Sequence, residues 1–96
     1  MTDAGLATLA RMPNLTRLSL GNTTVGDAGL QHLAGLAHLE YLNLYGTRVS
    51  DAGLGALRAL VGLRVVYLWE TQVTLEGRAS LQANLPHLRV FGGASP

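Results

Sequence analysis

The chain has 96 residues, 48% of them apolar, which is enough to build one hydrophobic core. Seven arginines, no lysine and six acidic residues leave a formal charge of +1, too little for an electrostatic footprint on nucleic acid or anionic lipid. The absence of cysteine excludes disulfides, a thiol nucleophile, a Cys-based zinc site and C-x-x-C-H haem attachment, and no apolar run approaches the roughly 18 residues of a membrane-spanning helix.

The start, Met1-Thr2-Asp3-Ala4-Gly5-Leu6, lacks the basic and apolar stretches of a secretory signal and opens a motif that recurs. Asp-Ala-Gly-Leu stands at Asp3–Leu6, Asp27–Leu30 and Asp51–Leu54, at intervals of 24 residues. Other positions keep step: Leu15, Leu39 and Leu63; Leu18, Leu42 and Val66; Leu20, Leu44 and Leu68; Thr23, Thr47 and Thr71; Val25, Val49 and Val73. So many registers at one period mark a repeat architecture. The units run over about 2–25, 26–49 and 50–73, followed by a degenerate unit at 74–91 and a tail at 92–96, all within one domain spanning 1–96.

Within each unit the L-x-L core alternates with period two, as a half-buried strand does. Leu30, Leu33 and Leu36, like Leu54, Leu57 and Leu60, recur every three residues and predict an apolar stripe on a short helix. Asp27 and Asp51 occupy the place of helix N-caps, with carboxylates expected to accept from amides two and three residues on. Thr23, Thr47 and Thr71 fall where the chain leaves the strand, and their hydroxyls are expected to bond the backbone of the neighbouring turn.

The fourth unit departs from this pattern. Thr74-Leu75-Glu76-Gly77 replaces S/T-D-A-G, Arg78 takes the place of Leu6, Leu30 and Leu54, and an extra residue sets Leu88 25 positions after Leu63. Arg78, Gln82 and Asn84 suit the polar outer face of a terminal repeat, and Gly92–Pro96 reads as a frayed end. At the other end the chain opens directly on a repeat helix, where Leu6, Leu9 and Met12 are expected to cover one side of the core. The expectation is the C-terminal part of a longer array, its open N-terminal end packing on further repeats or another subunit.

From Thr2 to Phe91 these residues resemble the leucine-rich repeat family. The L-x-x-L-x-L core followed by T-D-x-G-L is similar to the cysteine-containing and related bacterial subtypes, with Thr at the usual Asn or Cys position. The resemblance implies an α/β leucine-rich repeat solenoid, a short horseshoe arc. Its parallel β-sheet lines the concave face, and short helices form the convex face. Similar bacterial repeats are attached to larger proteins, some with cytochrome-like domains, others resembling plant-pathogen effectors that recruit host proteins. Neither a cytochrome motif nor an F-box occurs in these residues.

In such a fold the outward strand positions are Arg17, Tyr41 and Val65, then Ser19, Asn43 and Tyr67, then Gly21, Tyr45 and Trp69, bordered by Glu40, Arg64 and Glu70. Four of the five aromatic residues, all but Phe91, fall on this surface. Tyr45 is expected beside Trp69, and Tyr41 diagonally near Tyr67. Tyr and Trp join an apolar body to a polar tip and are enriched at binding hot spots. The candidate binding residues are therefore Tyr41, Asn43, Tyr45, Tyr67, Trp69, Arg17 and Glu70.

Catalytic machinery, metal ligands and cofactors are not expected. Ser19, Ser50, Ser80 and Ser95 lack a neighbouring base in any motif, His32 and His38 are six residues apart, and no phosphate-binding Gly-rich loop is present. The expected function is a protein-interaction module taking a protein or peptide partner, with no nucleic acid and no membrane insertion. A structural spacer of a larger bacterial protein and a weak carbohydrate or small-ligand binder are the alternatives.

Overall fold

The computed structural model describes residues 3–9, 11–12 and 14–92; the expected tail beyond Gly92, with Ser95, and the start at Met1–Thr2 lie outside them. Four strands alternate with short helices. Helix α1 (Asp3–Leu9) precedes β1 (Arg17–Ser19); α2 (Asp27–Leu30), prolonged by a 3-10 turn at Gln31–Leu33, precedes β2 (Tyr41–Asn43). A 3-10 turn at Asp51–Gly53 leads into α3 (Leu54–Leu57) and β3 (Val65–Leu68), and the longer α4 (Leu75–Asn84) leads into β4 (Arg89–Gly92). Gly29 and Gly55 weaken the helices of the second and third units, and α2 and α3 are single turns continued or preceded by 3-10 geometry.

The strands form one parallel sheet in the order β1-β2-β3-β4. Leu18 aligns with Leu42, Val66 and Val90, so the inward rows stack at a constant 24-residue register. Leu20, Leu30, Leu33, Leu36, Leu39, Leu42 and Leu44 are within 1% of complete burial, and the core runs on through Leu57, Leu60, Leu63 and Leu68. An α/β repeat fold results. Both faces of each inward leucine row are covered by the neighbouring units, except at the ends. There Leu9, Leu15 and Leu18 are only partly buried, and Met12 is 50% exposed rather than covering the core.

The aspartates do not cap their own helices. Gly26 and Ser50 occupy the N-cap positions without side-chain capping bonds, and Asp27 and Asp51 are first residues of their helical segments. Asp27 reaches into the next unit, accepting from the Ser50 amide at 2.7 Å and from the Ser50 hydroxyl. Asp51 does the same with the Thr74 amide at 2.8 Å and the Thr74 hydroxyl. The recurring glycine makes room for this clamp: a Cβ on Gly53 would lie 2.3 Å from Asp27 Oδ1, and one on Gly77 would lie 2.1 Å from Asp51 Oδ1. Asp and Gly of D-A-G thus serve different interfaces, the Asp facing the following unit and the Gly facing the preceding one. In the fourth unit Thr74 and Gly77 still receive the clamp, while Leu75 stands in place of the Asp.

The threonines, by contrast, work within their own units. Thr23, Thr47 and Thr71 donate to Leu20, Leu44 and Leu68 carbonyls of their own units at 2.7–2.8 Å. Thr23 and Thr71 accept long bonds, 3.4 Å, from the Val25 and Val73 amides. The hydroxyl is tied to a carbonyl three residues back because the chain bends sharply at this point, and the neighbouring unit's backbone is already bonded through Asn22 to Tyr45 and Gly46 to Trp69.

Two expectations about the fourth unit change. An offset of 25 carried forward would set Phe91 opposite Val66, facing inward, but β4 keeps the 24-residue register, which puts Val90 inside and Phe91 outside beside Tyr67. The extra residue before Leu88 is made up after it: Leu88 stands two residues before Val90, whereas Leu63 stands three before Val66. Gly92, assigned to the tail, is the last residue of β4, paired with Leu68 and buried.

The polar face of the fourth unit has a specific task. The Arg78 guanidinium donates to Val90 O at 3.1 Å and Gly92 O at 3.2 Å, while Gln82 Nε2 donates to the Leu85 and Leu88 carbonyls. The β4 carbonyls on the side away from β3 are therefore occupied by a side chain, which blunts that edge against another strand. Among the described residues no arginine is bonded to the outer edge of β1 in this way. Replacing Arg78 by Ala removes two charge-assisted bonds and should cost about 2–3 kcal/mol. Urea denaturation would show it as a lower midpoint, and sedimentation as concentration-dependent association through the uncovered edge. A fully stable, monodisperse variant would contradict this role.

Candidate open-face interface

The exposed face of the sheet carries the outward rows. Arg17, Tyr41, Val65 and Arg89 form one row, and Ser19, Asn43, Tyr67 and Phe91 the next. Side chains alternate across the sheet, so each row faces the same way as its neighbour two residues on. Tyr41 meets Tyr67 edge-on, ring centroids 5.5 Å apart at 63°, and Tyr67 stacks on Phe91 at 5.3 Å and 24°. The Arg17 guanidinium carbon lies 4.9 Å from the Tyr41 ring centroid. A continuous series Arg17–Tyr41–Tyr67–Phe91 thus crosses all four strands. Each ring pair contributes about 0.5–1.5 kcal/mol beyond its buried area, and the exposed cation–π contact roughly 0.5–1 kcal/mol.

Tyr45 and Trp69 sit where the chain leaves the sheet, aligned by the Gly46 amide donating to Trp69 O at 3.0 Å. Among the described residues their rings make no contact with each other. Trp69 lies instead against Gly92, where a Cβ would come within 2.6 Å of its ring, and Gly92 has a left-handed backbone (φ +78°). Tyr45 remains 40% and Trp69 55% exposed, large apolar surfaces open to a partner. Asn22, Gly46 and Glu70, at 24-residue intervals, turn the chain here with φ of 57°, 68° and 58°. Gly and Asn tolerate this geometry, whereas Glu70 stores about 1 kcal/mol or more of strain beside Trp69.

Asn43 is partly committed, because its Oδ1 accepts from the Tyr45 amide at 2.9 Å and orients the turn that presents Tyr45. Arg17 and Glu70 are exposed at opposite ends of the strands, so they border the aromatic series without meeting. Phe91 and Arg89 were missed from the sequence; the constant 24-residue spacing from Tyr67 and Val65 was the signal that would have found them.

Two open grooves flank the aromatic series. One of about 270 Å³ is lined by Thr16, Arg17, Glu40, Tyr41, Arg64 and Val65, and another of about 500 Å³ by Gln82, Pro86, Leu88, Arg89, Val90 and Phe91. A third depression, about 400 Å³, lies on the helical side between α3 and α4, where Arg58 donates to Ser80 Oγ at 3.1 Å. Its walls are small because Gly55 and Gly77 lack side chains, and the Asp51 carboxylate there is already occupied by Thr74. Arg64 and Glu40 approach only to 4.0 Å with both side chains more than half exposed, so they remain available. Among the described residues no group of three His, Cys, Asp or Glu is placed to hold a metal ion, and no helix is long and apolar enough to cross a membrane.

The sequence matches the Leucine Rich repeat family model twice, over residues 11–34 and 35–57. The first stretch holds β1 and α2 and the second β2 and α3. The comparison with curated proteins gives no match.

Proposed function

For a chain that carries leucine-rich repeats at 11–34 and 35–57, we propose a protein-interaction module that binds a protein or peptide through the open, concave face of its sheet and performs no catalysis. Within the family we assign it to the 24-residue bacterial type similar to the cysteine-containing subtype, with threonine at the Asn or Cys position. The observation that carries this function is the unbroken series Tyr41–Tyr67–Phe91, bordered by exposed Tyr45 and Trp69. A sheet face with no partner has no need of five aromatic residues, four of which carry a polar group on the ring.

Size shapes what this face can hold. Four strands about 4.8 Å apart, each of three or four residues and so about 10–13 Å long, give on the order of 200 Å², against about 800 Å² per partner in a standard interface. A short segment fits the four strands present. A larger partner needs a wider sheet, and the β1 edge, with no arginine bonded over it among the described residues, is the side on which further repeats or another subunit would extend it.

The Tyr67→Ala/Trp69→Ala double variant tests this function, because both side chains are outside the core. With its circular dichroism unchanged, the variant should bind the partner of the wild-type chain at least about thirty-fold more weakly, as the loss of a hot spot of about 2 kcal/mol implies. Unchanged binding would refute the role of the face. A loss confined to glycan-array signal would favour the carbohydrate reading.

A further inference from the structure

We propose that the open face recognises an extended acidic peptide with two carboxylates four residues apart and an apolar side chain midway between them. This rests on the interaction function proposed above and specifies its ligand. The carrying observation is that the row Arg17–Tyr41–Val65–Arg89 has an exposed arginine at each end and no acidic residue between. Each arginine lines a separate groove together with an aromatic ring, Arg17 with Tyr41 and Arg89 with Phe91. Tyr67 bridges the two grooves, touching Tyr41 on one side and Phe91 on the other.

The spacing selects the ligand. Arg17 and Arg89 are three strand intervals apart, about 14 Å at about 4.8 Å per interval. An extended peptide advances about 3.4 Å per residue, so positions i and i+4 span the same distance, and the two-residue alternation turns i, i+2 and i+4 to one side. Carboxylates at i and i+4 then meet the two guanidiniums, which bind planar carboxylates through paired N–H donors. The side chain at i+2 comes down on the Tyr41–Tyr67 rings. Arg64 and Glu40, which both line the first groove, cancel in formal charge and leave Arg17 as its net positive group. A segment lying across the strands also matches the small area of the face.

The probe is a fluorescein-labelled Gly-Glu-Ala-Phe-Ala-Glu-Gly peptide, titrated with the whole chain and followed by anisotropy in about 50 mM salt, where screening is weak. Controls carry Lys for both Glu residues, or place the two Glu residues side by side. The matched peptide should bind at least tenfold more tightly than either control, weaken as salt rises, and lose most of that advantage on Arg17→Gln/Arg89→Gln. Both arginines are exposed, so this variant keeps the core intact. Equal binding of the Lys peptide, or an unaffected double variant, overturns the proposal. If all peptides bind alike and only Tyr67→Ala abolishes binding, the aromatic face still functions and the charge pairing is wrong. If no peptide binds but a sulfated oligosaccharide does so through the arginines, the ligand is a glycan and the peptide proposal falls. Failure of every probe also overturns it, and the Tyr67→Ala/Trp69→Ala comparison then judges the interaction function separately.

Discussion

Gly53→Ala is expected to destabilise the protein by about 2–3 kcal/mol, even though its backbone, at φ −74° and ψ −23°, is one in which alanine is ordinarily the better residue. Conformation is not the reason for this glycine; space is. A Cβ there would lie 2.3 Å from Asp27 Oδ1 and 3.1 Å from Asp27 Cα. The carboxylate cannot swing aside without giving up the Ser50 amide and hydroxyl that it clamps across the unit boundary. Asp27→Ala should itself cost about 2–3 kcal/mol through those lost charged hydrogen bonds. The two substitutions act on one contact, so the double variant should fall at least about 1 kcal/mol short of the sum of the singles. Urea midpoints for the four proteins of this cycle measure the coupling, and strict additivity would show that Gly53 and Asp27 are independent. The same relation joins Asp51 to Gly77.

Leu42→Ala should cost more, about 3–5 kcal/mol, and leave little of the folded state in a protein of this size. Leu18→Ala, at the same inward position of the sheet, should cost only roughly 1–2 kcal/mol. The side chains are identical and their strands are paired residue to residue. Leu42 is completely buried between the rows of Leu18 and Val66, whereas Leu18, on the edge strand, is only partly covered. Truncation therefore opens a cavity in one case and widens an existing exposure in the other. Denaturation midpoints compare them directly. Equal losses would mean that the core does not thin toward β1, and that this end of the sheet is already covered.

The site was legible to the extent that it depends on strand alternation. Tyr41, Asn43, Tyr45, Tyr67 and Trp69 could be assigned to one surface because residues two apart in a strand face the same way. Their contacts could not. Tyr41 and Tyr67 meet as the diagonal spacing suggested, but Trp69 lies against Gly92 rather than Tyr45, in space that a Cβ on Gly92 would fill. Phe91 escaped because the extra residue before Leu88 looks the same in sequence whether the strand shifts with it or a shorter link after Leu88 restores the spacing. Hydrogen-bond register, which favours keeping Val90 in the apolar row, decides that question.

The sequence by itself determined the 24-residue repeat, the inward leucines and the alternation of strand and helix, because periodicity is a one-dimensional property that burial imposes on each unit separately. Only the tertiary structure decided what the repeated polar residues do. A carboxylate one residue into a helix suits that helix and a neighbouring unit equally well on paper. Asp27 and Asp51 bond Ser50 and Thr74 because stacking brings those unpaired amides within reach, and the glycine of the next unit leaves the space to reach them. Arg78 likewise reads as a surface charge until β4 folds beneath it and offers it two carbonyls on the side away from β3. Such pairings join residues more than ten positions apart, and which partner wins depends on geometry that exists only once the units are packed.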